Sequence, residues 1–259
     1  MSHRRTVVLA MLVVIVFASG ASPQSPLQVK PDVRKASTYS GPPIVGEFQA
    51  ALPQNEPEGP RLVREERYRT SNIPIHVEDP GQLVGGQKEH TAFIFIDYVI
   101  TGKPIDPKGM PVSNSNAVVV GTVVSGKCFV TGSHTYVYTD YSVKIDQVLK
   151  QDPTANLITG DVVVAARDGG AIHFPSGHVT NFLFAGHGLP EVGSQYVLFL
   201  WKPIPSFPEY EIIFDSGYQL KNGRVYPLDD VNSKYVGVET TVFLDEVRKA
   251  IASQKGAGQ

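Results

Sequence analysis

Between Thr139 and Asp146 polar and apolar residues alternate without a break: Tyr141, Val143 and Ile145 on one side, Asp140, Ser142, Lys144 and Asp146 on the other. A period of two sends successive side chains to opposite faces, so this stretch reads as a strand with one face buried and one in water. Ala117 to Val124 is an almost continuous apolar run interrupted by Gly121, and a glycine inside a strand suits the tight coiling of a small barrel. Asp161 to Ala166, Gln195 to Trp201, Tyr210 to Phe214 and Gly217 to Leu220 supply further strands. Ala92 to Ile100 joins them on its Phe, Ile, Tyr and Val content. In Lys221-Asn222-Gly223-Arg224 the Asn-Gly pair signals a two-residue hairpin into Val225-Tyr226.

Near the C-terminus the period changes. Phe243, Val247, Ala250 and Ile251 fall at helical spacing and leave Asp245, Glu246, Arg248 and Lys249 for solvent, with Thr240 or Thr241 able to cap the start. The expected fold is mainly β: a small antiparallel OB-like barrel with one C-terminal α-helix lying over an open end or seam. No internal repeat is visible at a solenoid period.

The chain divides into three segments. Residues 1–21 read as a secretory signal peptide: His3, Arg4 and Arg5 are positive, Thr6 to Phe17 is unbroken and apolar, and Ala18-Ser19-Gly20-Ala21 offers small residues for cleavage. The apolar stretch falls short of the roughly twenty residues that cross a bilayer, so the expectation is cleavage with no stable membrane insertion, and a secreted or periplasmic product. Residues 22–88 hold 10 of the 20 prolines and show no sustained apolar period, which describes a largely disordered leader. Residues 89–259 form the barrel domain and are long enough to bury a core.

Loss of Arg4 and Arg5 leaves 21 basic residues against 25 acidic, a net charge of about −4. No cluster of Lys and Arg remains, which speaks against nucleic acid as a partner. The only cysteine, Cys128, can form no intramolecular disulfide, so the core must hold the fold alone; it reads as a buried small hydrophobe. No Asn-x-Ser/Thr acceptor occurs either, a pattern that fits a bacterial exported protein.

Four segments carry a resemblance: Ala117-Val-Val-Val-Gly-Thr-Val-Val, Tyr141-Ser-Val-Lys-Ile-Asp-Gln-Val-Leu-Lys150, Gly160-Asp-Val-Val-Val and Val192-Gly-Ser-Gln-Tyr-Val-Leu-Phe-Leu200. Together they resemble a family of uncharacterised exported bacterial proteins and, more distantly, the OB-type barrel of netrin-like and metalloproteinase-inhibitor domains. The resemblance spans Ala117 to Tyr226 and rests on strand patterns. In the inhibitors a cysteine at the mature N-terminus chelates the target's metal; here Ser22 stands first, so that activity does not carry over. What the resemblance implies is a barrel serving as a binding surface, and fold alone does not fix function.

Motifs for chemistry are absent: there is no Gly-x-Ser-x-Gly elbow, His-Glu-x-x-His, P-loop, EF-hand loop or Cys-x-x-Cys. Gly186-His187-Gly188 reads as a loop. Three histidines deserve weighing, because a hairpin at Phe174 to Gly177 would set His173 and His178 opposite each other, with His187 one short strand later. Such a set, with Asp168 as an oxygen ligand, is what zinc or copper would take as a cofactor, in a metal-binding protein or metal-dependent hydrolase. Asp140, Asp146, Asp152 and Asp161 offer carboxylate pairs of the glycosidase kind, although alternation assigns Asp140 and Asp146 to the solvent face. Trp201, Tyr210 and Tyr218 are the aromatic candidates for ligand binding. The reading that fits best is an exported, non-enzymatic binding module whose partner is a protein or another envelope component; a structural envelope protein is a further alternative.

Overall fold

The computed structural model describes residues 45–47, 77–81, 90–96, 110–131, 134, 136–153, 155–184, 186–203 and 208–256. The expected signal peptide, 1–21, lies outside the described residues, as does most of 22–88. Eleven strands are described: β1 (Val45–Glu47), β2 (His90–Ile96), β3 (Ala117–Val130), β4 (Val137–Gln151), β5 (Val162–Asp168), β6 (Gly170–His173), β7 (His178–Phe184), β8 (Gln195–Trp201), β9 (Tyr210–Ile212), β10 (Tyr218–Lys221) and β11 (Arg224–Pro227). A 3-10 helix (Asp230–Tyr235) and the helix α1 (Thr240–Gly256) follow.

Five of these strands close into a barrel in the order β3-β4-β5-β9-β8, with β8 returning to β3. The sequence led us to expect an antiparallel barrel, but a closed ring with an odd number of strands cannot be antiparallel throughout. The unavoidable parallel pairing falls between β5 and β9, where Ala165 meets Tyr210 and Ala166 meets Glu211. The barrel core is the inward set of the alternating pattern: Val119, Tyr141, Val143, Ile145, Ala165, Tyr196, Leu198, Leu200 and Ile212 are all buried. Gly121 sits at a register shift between β3 and β4, and a Cβ there would lie 2.6 Å from Cγ1 of Val143. Close approach of two strands is therefore what requires glycine at this point.

The continuous apolar run of β3 has a simple cause: both of its faces are covered. Val119 and Val123 point into the barrel, whereas Val118 and Val120 point out into a second layer with Val197, Phe199, Tyr218 and Val225. Helix α1 lies on that layer through Phe243, Val247 and Ile251, so it packs on the outer sheet face and not over a barrel end or seam. Strands β10 and β11 prolong this sheet beyond β8, and their turn has positive φ at Asn222 and Gly223, as the two-residue hairpin requires. The hydroxyl of Thr240 makes no capping bond; it is buried with no hydrogen-bond partner in the first turn.

A second sheet runs β1-β6-β7-β2, with both outer strands parallel to their neighbours. It takes strands from either side of the expected boundary at 88/89. Val77, also from the proline-rich segment, is fully buried with Cys128, Tyr138, Ile172, Phe174 and Phe182, and its N–H donates to the carbonyl of His134 at 2.8 Å. Cys128 is buried, as expected of a small hydrophobe.

Candidate functional site

Two features of the barrel stand out. The first closes one end. Arg167, near the end of β5, and Asp229, just after β11, form an ion pair with both side chains fully buried. Nη2 of Arg167 donates to Oδ1 of Asp229, and Nε donates to the carbonyl of Gly188 at 2.7 Å. The N–H of Gly188 donates to the same Asp229 oxygen at 3.1 Å, so the pair grips both polar groups of one residue. Nη1 of Arg167 and Oδ2 of Asp229 are buried without a hydrogen-bond partner.

Burial opposes the Arg167 charge, but the facing carboxylate more than offsets this and raises its pKa, so the guanidinium stays ionised. Beside Gly188, His187 lies against Phe214, the rings tilted by 40° with centroids 4.7 Å apart. Its Nε2 lies 3.9 Å from Oδ1 of Asp215. Burial pushes the imidazole pKa down to about 4, with Arg167 lowering it further and Asp229 pulling the other way. At neutral pH the ring is therefore neutral, and its approach to Asp215 is a polar contact without an ion pair. Burial, and then Asp229, raise the carboxyl of Asp215 above its ordinary value.

The second feature is the outer wall. Strand register sets Trp201 of β8 beside Glu211 of β9, Glu211 beside Ala166 of β5, Ala166 beside Asp140 of β4, and Asp140 beside Lys127 of β3. Paired residues share a face, so this row crosses the outside of all five strands. Trp201 is 43% exposed, Lys127 is exposed, Ala166 is 1% exposed, and Asp140 and Glu211 are half-buried. An exposed aromatic face, two carboxylates and a cation in one row can stack on and hydrogen-bond a ligand.

The sequence candidates distribute as follows. His173 is exposed at the end of β6 and pairs with Val179, while His178 stands opposite Phe174, one step out of the expected register. His178 instead lies within electrostatic reach of Asp79, and His187 belongs to the barrel end. Among the described residues no group of three or more His, Cys, Asp or Glu side chains is arranged to hold a metal ion, so the expected triad is not assembled. Asp168 accepts a hydrogen bond from the Tyr136 hydroxyl at 2.7 Å. Tyr210 and Tyr218 are core residues and not surface aromatics: Tyr210 is 2% exposed and donates to the Ala155 carbonyl, and Tyr218 packs between Phe199, Tyr235 and Phe243. Of the three aromatic candidates Trp201 alone faces solvent.

Three of the four acidic candidates are tied into the framework, and the fourth, Asp140, lies in the outer row. Asp146 accepts from Thr122 and Gln195, joining β3, β4 and β8; Asp152 accepts from Asn116; Asp161 accepts from the N–H of Ile158. Arg167, Asp229 and Asp215 went unnoticed in the sequence. A positive φ at Asp215 marks its turn, but sequence carries no sign of it beyond the Asp-Ser-Gly composition. No helix among the described residues is long and apolar enough to cross a membrane. Comparison with known proteins yields no matching family model and no matching curated sequence.

Proposed function

We propose that this chain is an exported binding module of the OB type, working outside the cytoplasm through the outer wall of its barrel. The observation that carries the reading is the strand circuit. Numbering the barrel strands in chain order gives the ring 1-2-3-5-4-1 with one parallel pair, between the third and fifth strands. This circuit supports the OB reading, and an OB barrel takes ligands on the face of its second and third strands and on the loops after the first and fourth. Here those strands are β4 and β5, and the fourth strand ends at Trp201. The cross-strand row at Trp201, Glu211, Asp140 and Lys127 runs over this face.

Export is supported by the ordered positive, apolar and small-residue segments of 1–21. The partner that suits the reading is a protein or another component of the cell envelope. Retention of the purified mature protein on solubilised native envelope tests the wall. Trp201→Ala and Glu211→Lys are expected to weaken retention by about tenfold or more, the scale of a binding hot spot. Arg248→Ala, at an exposed position of α1 outside the row, leaves it unchanged. Equal retention by all three variants would count against the wall.

A further inference from the structure

Three loops meet at one end of the barrel, and His187, its side chain 9% exposed, lies among them. The loop between β7 and β8 contributes His187 and Gly188; that between β9 and β10 contributes Phe214 and Asp215; the segment after β11 contributes Leu228, Asp229 and Asp230. Their backbones are stitched together: the N–H of Leu228 donates to the Gly217 carbonyl at 2.8 Å, and that of Asp230 to the Gly186 carbonyl at 3.0 Å. Gly188 is held at both its N–H and its carbonyl by the Arg167–Asp229 pair, and a Cβ on it would run into the Leu228 carbonyl. Whatever displaces Gly188 therefore disturbs the ion pair and the segment leading to α1 together.

We propose that His187 and the Arg167–Asp229 pair form an acid-released clasp, which opens this end of the barrel while the barrel itself stays folded. The charged and titratable groups around the imidazole come from every element packed there: Arg167 from β5, Asp215 from the β9–β10 loop, and Asp229 and Asp230 after β11. Tyr141 of β4 and Tyr218 of β10 stand in the same electrostatic environment. A proton on the ring adds a second cation beside the Arg167 guanidinium, whose own side chain is closed to water. The imidazolium then has two courses. It competes with Arg167 for the Asp229 carboxylate, whose Oδ2 has no partner, or it swings out to solvent; either motion pulls on Gly188, its neighbour in the chain.

The sign follows from linkage. The closed imidazole takes its proton only near pH 4, and the open one near 6.5. Opening therefore becomes easier as pH falls from 6.5 to 4, by up to about 80-fold in the equilibrium constant. Asp215 and Asp230 act in the opposite sense. Burial raises both carboxyls, so their protonation favours the closed form. Removing His187 should accordingly reverse the trend as well as abolish it. The clasp stands whether or not the chain is exported; an exported chain would meet external pH directly.

Native-state hydrogen exchange on the full mature chain, corrected for the intrinsic pH dependence of amide exchange, tests this. Between pH 6.5 and 4 the amides of Gly188, Leu228 and Asp230 should lose protection by up to about 80-fold. Those of Val119 and Leu198, in the barrel, should hold. In His187→Phe, whose ring can still stack on Phe214, the loop amides should keep or gain protection over the same range. Loss of the same size in His187→Phe, or loss shared equally by the barrel amides, overturns the clasp. Should that variant not fold, the NMR titration of the wild-type His187 ring decides. A midpoint near 4 that coincides with loop opening supports the proposal, and a midpoint near 6.5 with the loops still protected overturns it.

Discussion

Arg167 and Asp229 stand 62 residues apart in the chain and meet as an ion pair with no solvent exposure on either side chain. Removing one partner strands the other charge where water cannot reach it, at a cost of about 3–5 kcal/mol. We predict a loss of that size in Arg167→Met and in Asp229→Leu by urea denaturation. The double variant, with no charge left to bury, should be more stable than either single one. A double variant that loses the sum of the two single losses would show that the sites do not depend on each other.

Gly121 makes a second prediction. Its missing Cβ is where Val143 packs across the β3–β4 pair, at 2.6 Å from Cγ1, with the Lys144 carbonyl at 3.0 Å. Gly121→Ala should destabilise the barrel by about 1–3 kcal/mol, as overpacking does in a filled core. Trimming the opposing side chain should recover part of this, so Gly121→Ala with Val143→Ala should lose less than the two separate losses combined. Thermal melting of the four proteins measures the coupling.

The pH dependence of global stability follows from the same His187 that forms the clasp. Its folded pKa, about 4, lies below the unfolded value of 6.5. Unfolding therefore takes up a proton between these limits, and stability falls as pH drops through the window, by about 3 kcal/mol from this group alone. Asp215, raised by burial, carries a penalty at neutral pH that is relieved on acidification and offsets part of that fall. Denaturant midpoints from pH 7 to pH 4 should decline in the wild type and decline less in His187→Phe.

Cys128 should be inert in the folded protein. Burial pushes its thiol up to about 12, partly countered by the Thr139 hydroxyl, and the thiolate is the reactive form. Alkylation at pH 8 should be slow in buffer and fast in denaturant, with the ratio reporting the fraction of unfolded chain. Rapid labelling of the native protein would mean that the second core opens freely.

Where strand pairing is local, the sequence carried the fold. Tyr141, Val143 and Ile145 alternate and are buried, Gln195–Trp201 is a strand over its full predicted span, and Asn222-Gly223 turns as the dipeptide demands. The second sheet was harder to read, because β1 and β2 join it as parallel edge strands whose partners lie far along the chain. Of the described strands β1 alone falls in the proline-rich segment, at three residues too short to show a period.

The barrel end was hidden for a different reason. An arginine in Ala-Ala-Arg-Asp at a strand end looks like a solvated terminus, and only the distant Asp229 makes its burial tolerable. Tyr218, offered as a ligand-binding aromatic, is instead covered by helix α1, whose Phe243 packs against it. Trp201, at the end of β8, keeps 43% exposure.

The central claim is that this barrel binds a partner outside the cytoplasm through the wall at Trp201, the only tryptophan of the chain. A photo-reactive amino acid placed at position 201, with position 248 on the exposed side of α1 as control, tests it in the native cell. The account predicts a discrete adduct from position 201 in the envelope fraction, on a protein whose N-terminus is Ser22, and none from position 248. No adduct at 201 beyond the control, or a chain retained in the cytoplasm with residues 1–21 intact, would contradict it.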